Sequence, residues 1–113
     1  MTDCLFCKIA QGTIPSDKVY ENKEILAFKD INPKGPIHFL IIPKKHYPTL
    51  NDIPEKDFGM VAKIFAVAQK LAKEHGVAEG GYRTLVNTNR NAGQIVFHVH
   101  WHLIGGKPLG PMA

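Results

Sequence analysis

The sequence predicts an α+β fold: a five-stranded antiparallel meander sheet with one long and one short helix. Three observations carry this. Residues 98–104 read His-Val-His-Trp-His-Leu-Ile, and alternation of that kind marks a strand with two unlike faces. Between Phe58 and Ala72, apolar residues instead recur at three- to four-residue intervals, the spacing of an amphipathic helix. The other apolar runs are short and separated by Gly, Pro and Asn, which suits strands joined by turns.

Taken in order, Cys4 to Gln11 reads as the short helix, ended by Gly12 and Pro15. Lys18 to Glu21 and Ile25 to Asp30 are strands joined at Asn22-Lys23, a hairpin-like turn. Pro33-Lys34-Gly35-Pro36 is a loop, and Ile37 to Ile42 is a mostly apolar strand that stops at Pro43. Asp52-Ile53-Pro54-Glu55 predicts the start of the long helix, with an acid near the cap, an early proline and a glutamate in the first turn. Phe58, Val61, Ala62, Phe65, Ala68 and Ala72 form its buried stripe, broadened by Ile64 and Leu71, and Lys73, His75 and Gly76 end it. Arg83 to Asn87 and Val96 to Ile104 complete the sheet, whose one face the long helix covers.

At 113 residues the chain is expected to be a single domain spanning 1–113. Its 44% hydrophobic and 21% charged residues are ordinary for a globular protein. Met1-Thr2-Asp3-Cys4 does not begin a basic-then-apolar leader, and no run approaches a membrane span, so a cytoplasmic protein without a membrane partner is expected. The net charge is +4, but the lysines are scattered from Lys8 to Lys107, and only Lys44-Lys45-His46 forms a local basic run. That argues for a solvated surface, or a mild attraction for small anions, and against a nucleic-acid partner. The two cysteines, spaced C-x-x-C, suit a reducing compartment better than a disulfide framework.

The chemistry lies in the histidines. On a strand, His98, His100 and His102 share one face while Val99, Trp101 and Leu103 face the core. An imidazole titrates near neutral pH, at about 6.5, so such a row can attack, donate or bind. Alternate strand residues lie about 6.8 Å apart. Zinc–nitrogen bonds are only about 2.0–2.1 Å, so one metal does not collect all three rings from a regular strand. Two neighbouring rings could still share a metal, and a histidine-rich solvated face is the plain alternative. Different jobs along an extended substrate fit the spacing and the strict register better. Ser16 is the only serine and has no histidine near it in sequence, which argues against a Ser–His–acid hydrolase. Histidine is left as the covalent nucleophile, since a neutral ring nitrogen can attack phosphorus when the other is anchored as a donor.

His98-Val99-His100-Trp101-His102-Leu103-Ile104 resembles the signature of the histidine triad superfamily. Ile14-Pro15, Phe28-Lys29-Asp30-Ile31, His38 to Lys44, Gly81-Tyr82-Arg83, Val86-Asn87 and Gly105-Gly106 resemble segments of its Hint branch, the histidine triad nucleotide-binding proteins; the tail to Met112-Ala113 looks like the bacterial members. The resemblance implies a homodimer with one sheet running through both subunits. It implies a site in each for purine nucleotides, AMP or GMP, and hydrolysis of their phosphoramidates through a nucleotidyl-histidine intermediate. Residue by residue, His100 resembles the nucleophile, His102 a ligand of the α-phosphate, and His38 and His98 supporting rings. Asp30 resembles the acid on the ribose hydroxyls, a charge-assisted contact. Phe6, Ile9, Phe28 and Leu40 resemble the walls around the base. Asn87 and the Gly93-Gln94 turn resemble the phosphate-side loop, where Gly93 would let backbone N–H groups near an oxygen.

Two departures stand out. Where many Hint proteins have a serine that assists the leaving amine, this chain has Ile95, which has no proton to give, and its tail lacks tryptophan. Gly105-Gly106 looks like the Hint branch rather than the dinucleoside polyphosphate hydrolases, which are the rival enzymes. Ile95 keeps a non-catalytic nucleotide-binding or interaction module open as an alternative. For Cys4 and Cys7, a redox pair would want a βαβ context, which is missing. Two inert thiols and half of a structural zinc site remain as readings. His46 and His98 would complete the zinc site, a pattern some superfamily members resemble, in a closed Cys₂His₂ set. Catalysis itself would require no cofactor.

Overall fold

The computed structural model describes residues 3–112; Met1, Thr2 and Ala113, on which the leader, tail and full-length readings partly rest, lie outside them. A short helix α1 (Leu5–Ala10) precedes strands β1 (Lys18–Glu21), β2 (Ile25–Lys29) and β3 (Ile37–Pro43). A long helix α2 (Phe58–Glu74) follows, and then β4 (Tyr82–Val86) and β5 (Trp101–Gly105). The fold is α+β with one antiparallel five-stranded sheet, as expected. The meander holds for β1-β2-β3; β5 then lies between β3 and β4, giving the order β1-β2-β3-β5-β4.

The two faces of the sheet bury different sets. Ile25, Ala27, Phe39, Ile41, Val99, Trp101 and Leu103 pack beneath Ile64, Val67, Ala68 and Leu71 of α2. Leu26, Phe28, Leu40 and Ile42 point the other way and pack with Phe6 and Ile9 of α1. Because both faces are covered, the central strands β2 and β3 are buried nearly end to end. That explains why they read as continuous apolar runs rather than as alternation.

Three expected boundaries move. The helix start at 52–55 becomes two 3₁₀ turns, Leu50–Asp52 and Glu55–Asp57, before α2 begins at Phe58. Pro54 forces Ile53 into an extended conformation (ψ 115°), so the helix cannot run through it. The buried stripe of α2 is Ile64, Val67, Ala68, Leu71 and Ala72, whereas Phe58 and Phe65 are about half exposed on the neighbouring face. Finally, the regular part of β5 starts only at Trp101. Upstream, Val99 N–H donates to the Tyr47 carbonyl at 2.7 Å, and the Gln94 amide donates to Pro48 O and Val96 O. These bonds pull 94–99 off the ladder. Among the described residues, no helix is long and apolar enough to cross a membrane.

Candidate active site

On the α1 side of the sheet lies a cavity of about 800 Å³. Phe6, Ile9, Phe28 and Leu40 form apolar walls, and Asp30, His38, His100 and His102 also line it. Sheet register makes this assembly. Leu40 on β3 and Leu85 on β4 flank His102 of β5 in one cross-strand row, while His38 is opposite Ile104. His38 and His102 are thus diagonal neighbours, within reach of long side chains.

Hydrogen-bond partners fix the ring protons. Lys34 N–H donates to His38 Nδ1 at 2.9 Å, so the proton of neutral His38 is on Nε2. That Nε2–H donates to His102 Nδ1 at 2.9 Å and lies 3.2 Å from Asp30 Oδ2. His102 consequently carries its own proton on Nε2. His100 Nδ1–H donates to the His98 carbonyl at 2.9 Å, which leaves its Nε2 lone pair free. Burial holds His102 down to about 4, aided by the neighbouring His100 and His38 and opposed by Asp30. Burial also lowers His100 and His38, while the Asp30 carboxylate pulls both upward. These rings are neutral at pH 7, as the tautomers require. Asp30, His38 and His102 lie close enough to share a cation, but the proton on His38 Nε2 makes that atom a donor to its neighbours.

The row of three rings divides. His100 and His102 are neighbours, with ring centroids 5.2 Å apart, closer than a regular strand would set them. His98 is fully buried and does not line the cavity. Its Nε2–H donates to Pro43 O at 2.7 Å, and its bare Nδ1 faces Cys4 Sγ at 3.4 Å, Cys7 Sγ at 3.6 Å and His46 Nδ1 at 3.2 Å. Cys7 Sγ is also 3.3 Å from His46 Nδ1. A zinc ion bonded at about 2.0–2.1 Å to nitrogen and about 2.3 Å to sulfur would set tetrahedral edges of roughly 3.4 Å (N–N) and 3.5–3.6 Å (N–S). The four edges above are near those lengths, and all four ligand atoms lie within 4.8 Å of one another, so the residues fit zinc. The His98 bond to a carbonyl is the outer-shell partner a ligating histidine usually has. Burial pushes the Cys7 thiol up to about 11, with Cys4 adding to the effect; a cation at the centre would reverse that push.

The loop residues take different places. Asn87, Gly93 and Ile95 line the cavity, Ile95 with 87% of its surface exposed. Gly93 has φ 86°, which favours glycine, and its own N–H donates to Arg90 O at 2.9 Å. Gln94 is a brace rather than part of the lining. Its Oε1 accepts from Asn89 N–H at 2.8 Å, and its own N–H donates to Asn89 O at 3.1 Å. The amide of Lys34 and the carbonyl of Pro43, which set two tautomers, went unrecognised in the sequence. As backbone groups they leave no residue-type signal.

The HIT domain family matches residues 11–109. The chain belongs to the HIT family. This HIT protein is 47% identical over 110 residues to the purine nucleoside phosphoramidase of Escherichia coli K12, covering 97% of this chain and 92% of that one. A histidine triad protein from Clostridium difficile superposes with a TM-score of 0.97 at 48% identity, over 100% of this chain and 98% of the other. A zinc-bound histidine triad family protein from Mycobacterium smegmatis superposes with a TM-score of 0.81 at 30% identity, over 94% and 76% of the two chains.

Proposed function

We propose that this HIT protein hydrolyses purine nucleoside 5′-phosphoramidates, with His100 as nucleophile. One observation carries the reading: His100 gives its Nδ1–H to the His98 carbonyl, so Nε2 keeps its lone pair beside an apolar slot of purine size. Attack on phosphorus forms a P–N bond to His100 and breaks the P–N bond to the leaving amine, which departs with the bonding pair and takes up a proton. Ile95 has none to give. His102 Nε2–H is the hydrogen-bond donor in reach of the departing nitrogen, held in that orientation by His38 Nε2–H on its Nδ1, with Asp30 3.2 Å behind. The proton itself comes from water, and the hydroxide so formed is the species that next attacks phosphorus. Water then cleaves the nucleotidyl-histidine, releasing the nucleoside monophosphate and restoring the ring. Asp30 would keep its second oxygen free of His38 for the loop and the ribose; Oδ1 already accepts from Asn32 N–H at 2.8 Å. The phosphoramidase name of the Escherichia coli relative supports the same chemistry.

Two accompanying readings belong to this proposal. Cys4, Cys7, His46 and His98 bind structural zinc, supported by the tetrahedral spacing and by the zinc-bound relative. The chain forms a homodimer, supported by the half-exposed Phe58 and Phe65 on α2 and by β4 at the sheet edge, half-buried along its whole length. Sedimentation at micromolar concentration is expected to give twice the chain mass, and a monomer there would reject it.

The activity is tested by incubating wild type and His100→Gly with an AMP-amine conjugate. Wild type should release AMP and, on acid quenching, carry a nucleotidyl adduct on His100; the variant should be slower by at least about 10³-fold. Equal rates would remove His100 from the mechanism. Tight AMP binding without turnover across a panel of amines would instead favour the binding-module reading that Ile95 keeps open.

A further inference from the structure

The thiol–imidazole cluster is outside the cavity, yet it reaches His100 along two routes. His98 supplies the first: its ring belongs to the cluster, while its carbonyl accepts the Nδ1–H of His100 at 2.9 Å. Phe6 supplies the second. It lies between Cys4 and Cys7 in sequence, and its ring packs edge-on against His100 (5.1 Å), His98 (6.1 Å) and Phe28 (5.4 Å). α1 has only six residues, too few to be a stable helix in water without tertiary anchors. Both thiols supply such anchors: Cys4 Sγ caps the helix by accepting from Cys7 N–H at 3.3 Å, and both sulfurs contact the imidazoles.

We infer that Cys4, Cys7 and His46 are positioning residues for the reaction, acting through the His98 carbonyl and the Phe6 ring to hold the His100 Nε2 lone pair toward the bound phosphorus. The inference rests on the zinc and phosphoramidase readings above and adds a link between them. The metal does no chemistry on substrate; closing the cluster fixes the two groups that orient the nucleophile. An imidazole that loses its Nδ1–H anchor rotates and exchanges tautomers, and one tautomer presents N–H rather than a lone pair to phosphorus. Misplacement by about 1 Å can cost about 10²-fold in rate.

The test substitutes cobalt(II) for zinc in the full chain, because thiolate–cobalt absorption reports the ligand field directly. On the phosphoramidase reading AMP, the probe, occupies the cavity, which no cluster residue lines, so a shift of the cobalt bands at saturating AMP is the expected result. In parallel, ¹⁵N-histidine NMR follows the His100 tautomer in a folded, metal-free Cys4→Ala variant. Where that variant does not fold, His46→Ala, which leaves α1 and both thiols intact, takes its place. The metal-free protein should lose the single Nδ1–H form of His100 and slow its single-turnover nucleotidyl transfer by about ten- to hundredfold, with a smaller change in AMP affinity. Cobalt bands unmoved by AMP, together with an unchanged His100 tautomer in the folded metal-free variant, would overturn the inference. Failure to take up cobalt would overturn it along with the zinc reading, while His100-dependent turnover would leave the hydrolase reading standing. Tautomer coupling in a protein without turnover would uphold the link and reject the activity.

Discussion

His38 and His102 are joined by a single proton: the Nε2–H of one donates to Nδ1 of the other at 2.9 Å across 64 residues of sequence. The direction is set from outside the pair, because Lys34 N–H occupies the other nitrogen of His38 at 2.9 Å. His102 must therefore present Nε2–H to whatever occupies the cavity. A donor at this point is what a chain with Ile95 in its loop needs if an amine is to leave.

Asp30 stands 3.2 Å behind His38 and should matter to the orientation of the His38–His102 pair as well as to ribose. Asp30→Asn keeps the shape and removes the charge. We expect kcat/KM for an AMP-amide to fall by about 10²-fold, and to fall as much for the matching 2′,3′-dideoxy substrate. If the loss disappears on the dideoxy substrate, Asp30 acts on the ribose alone.

Acidification should destabilise the fold through the buried rings. The unfolded chain takes up protons as pH falls below 6.5, whereas native His102 resists until about 4. In that window the unfolded state binds more protons, so stability rises with pH and is lost as pH falls from 6.5 toward 4. Melting temperature should be nearly flat above pH 7 and drop through this window, and His102→Gln should flatten the drop. An unchanged slope in that variant would show that His102 does not contribute.

Leu103 is fully buried between the sheet and α2, and its side chain faces away from the cavity that His102 lines. Leu103→Ala should cost about 2–5 kcal/mol by urea denaturation. Turnover per folded molecule should persist, because the cavity residues lie on the opposite face. Loss of turnover in fully folded protein would mean that the two faces are mechanically coupled.

Much of the architecture follows from local pattern. Period-two alternation at 98–104 separates Val99, Trp101 and Leu103, which enter the α2 core, from the histidines. Three- to four-residue spacing announces α2, although Phe58 and Phe65 lie beside its buried stripe rather than in it. Hydrophobicity says that a residue prefers cover; it does not say whether its own sheet or another surface provides it.

The site residues named from the resemblance supply half of those that line the cavity, since family motifs record residue identity. It did not show that the Gln94 side chain is spent bracing its own loop, because a side-chain amide can meet a phosphate or a backbone group equally well.

By itself, then, the sequence determined the face the three triad histidines share, the succession of helices and strands along the chain, and the HIT family. Tertiary structure decided how the histidines divide: His98 with Cys4, Cys7 and His46; His100 and His102 with His38. It also decided which nitrogen of each ring holds the proton. The reason is physical: alternation is a property of one strand, but a tautomer depends on what faces each nitrogen. Here those partners are the backbone of Lys34, Pro43 and His98, and only folding brings the first two to the rings they fix.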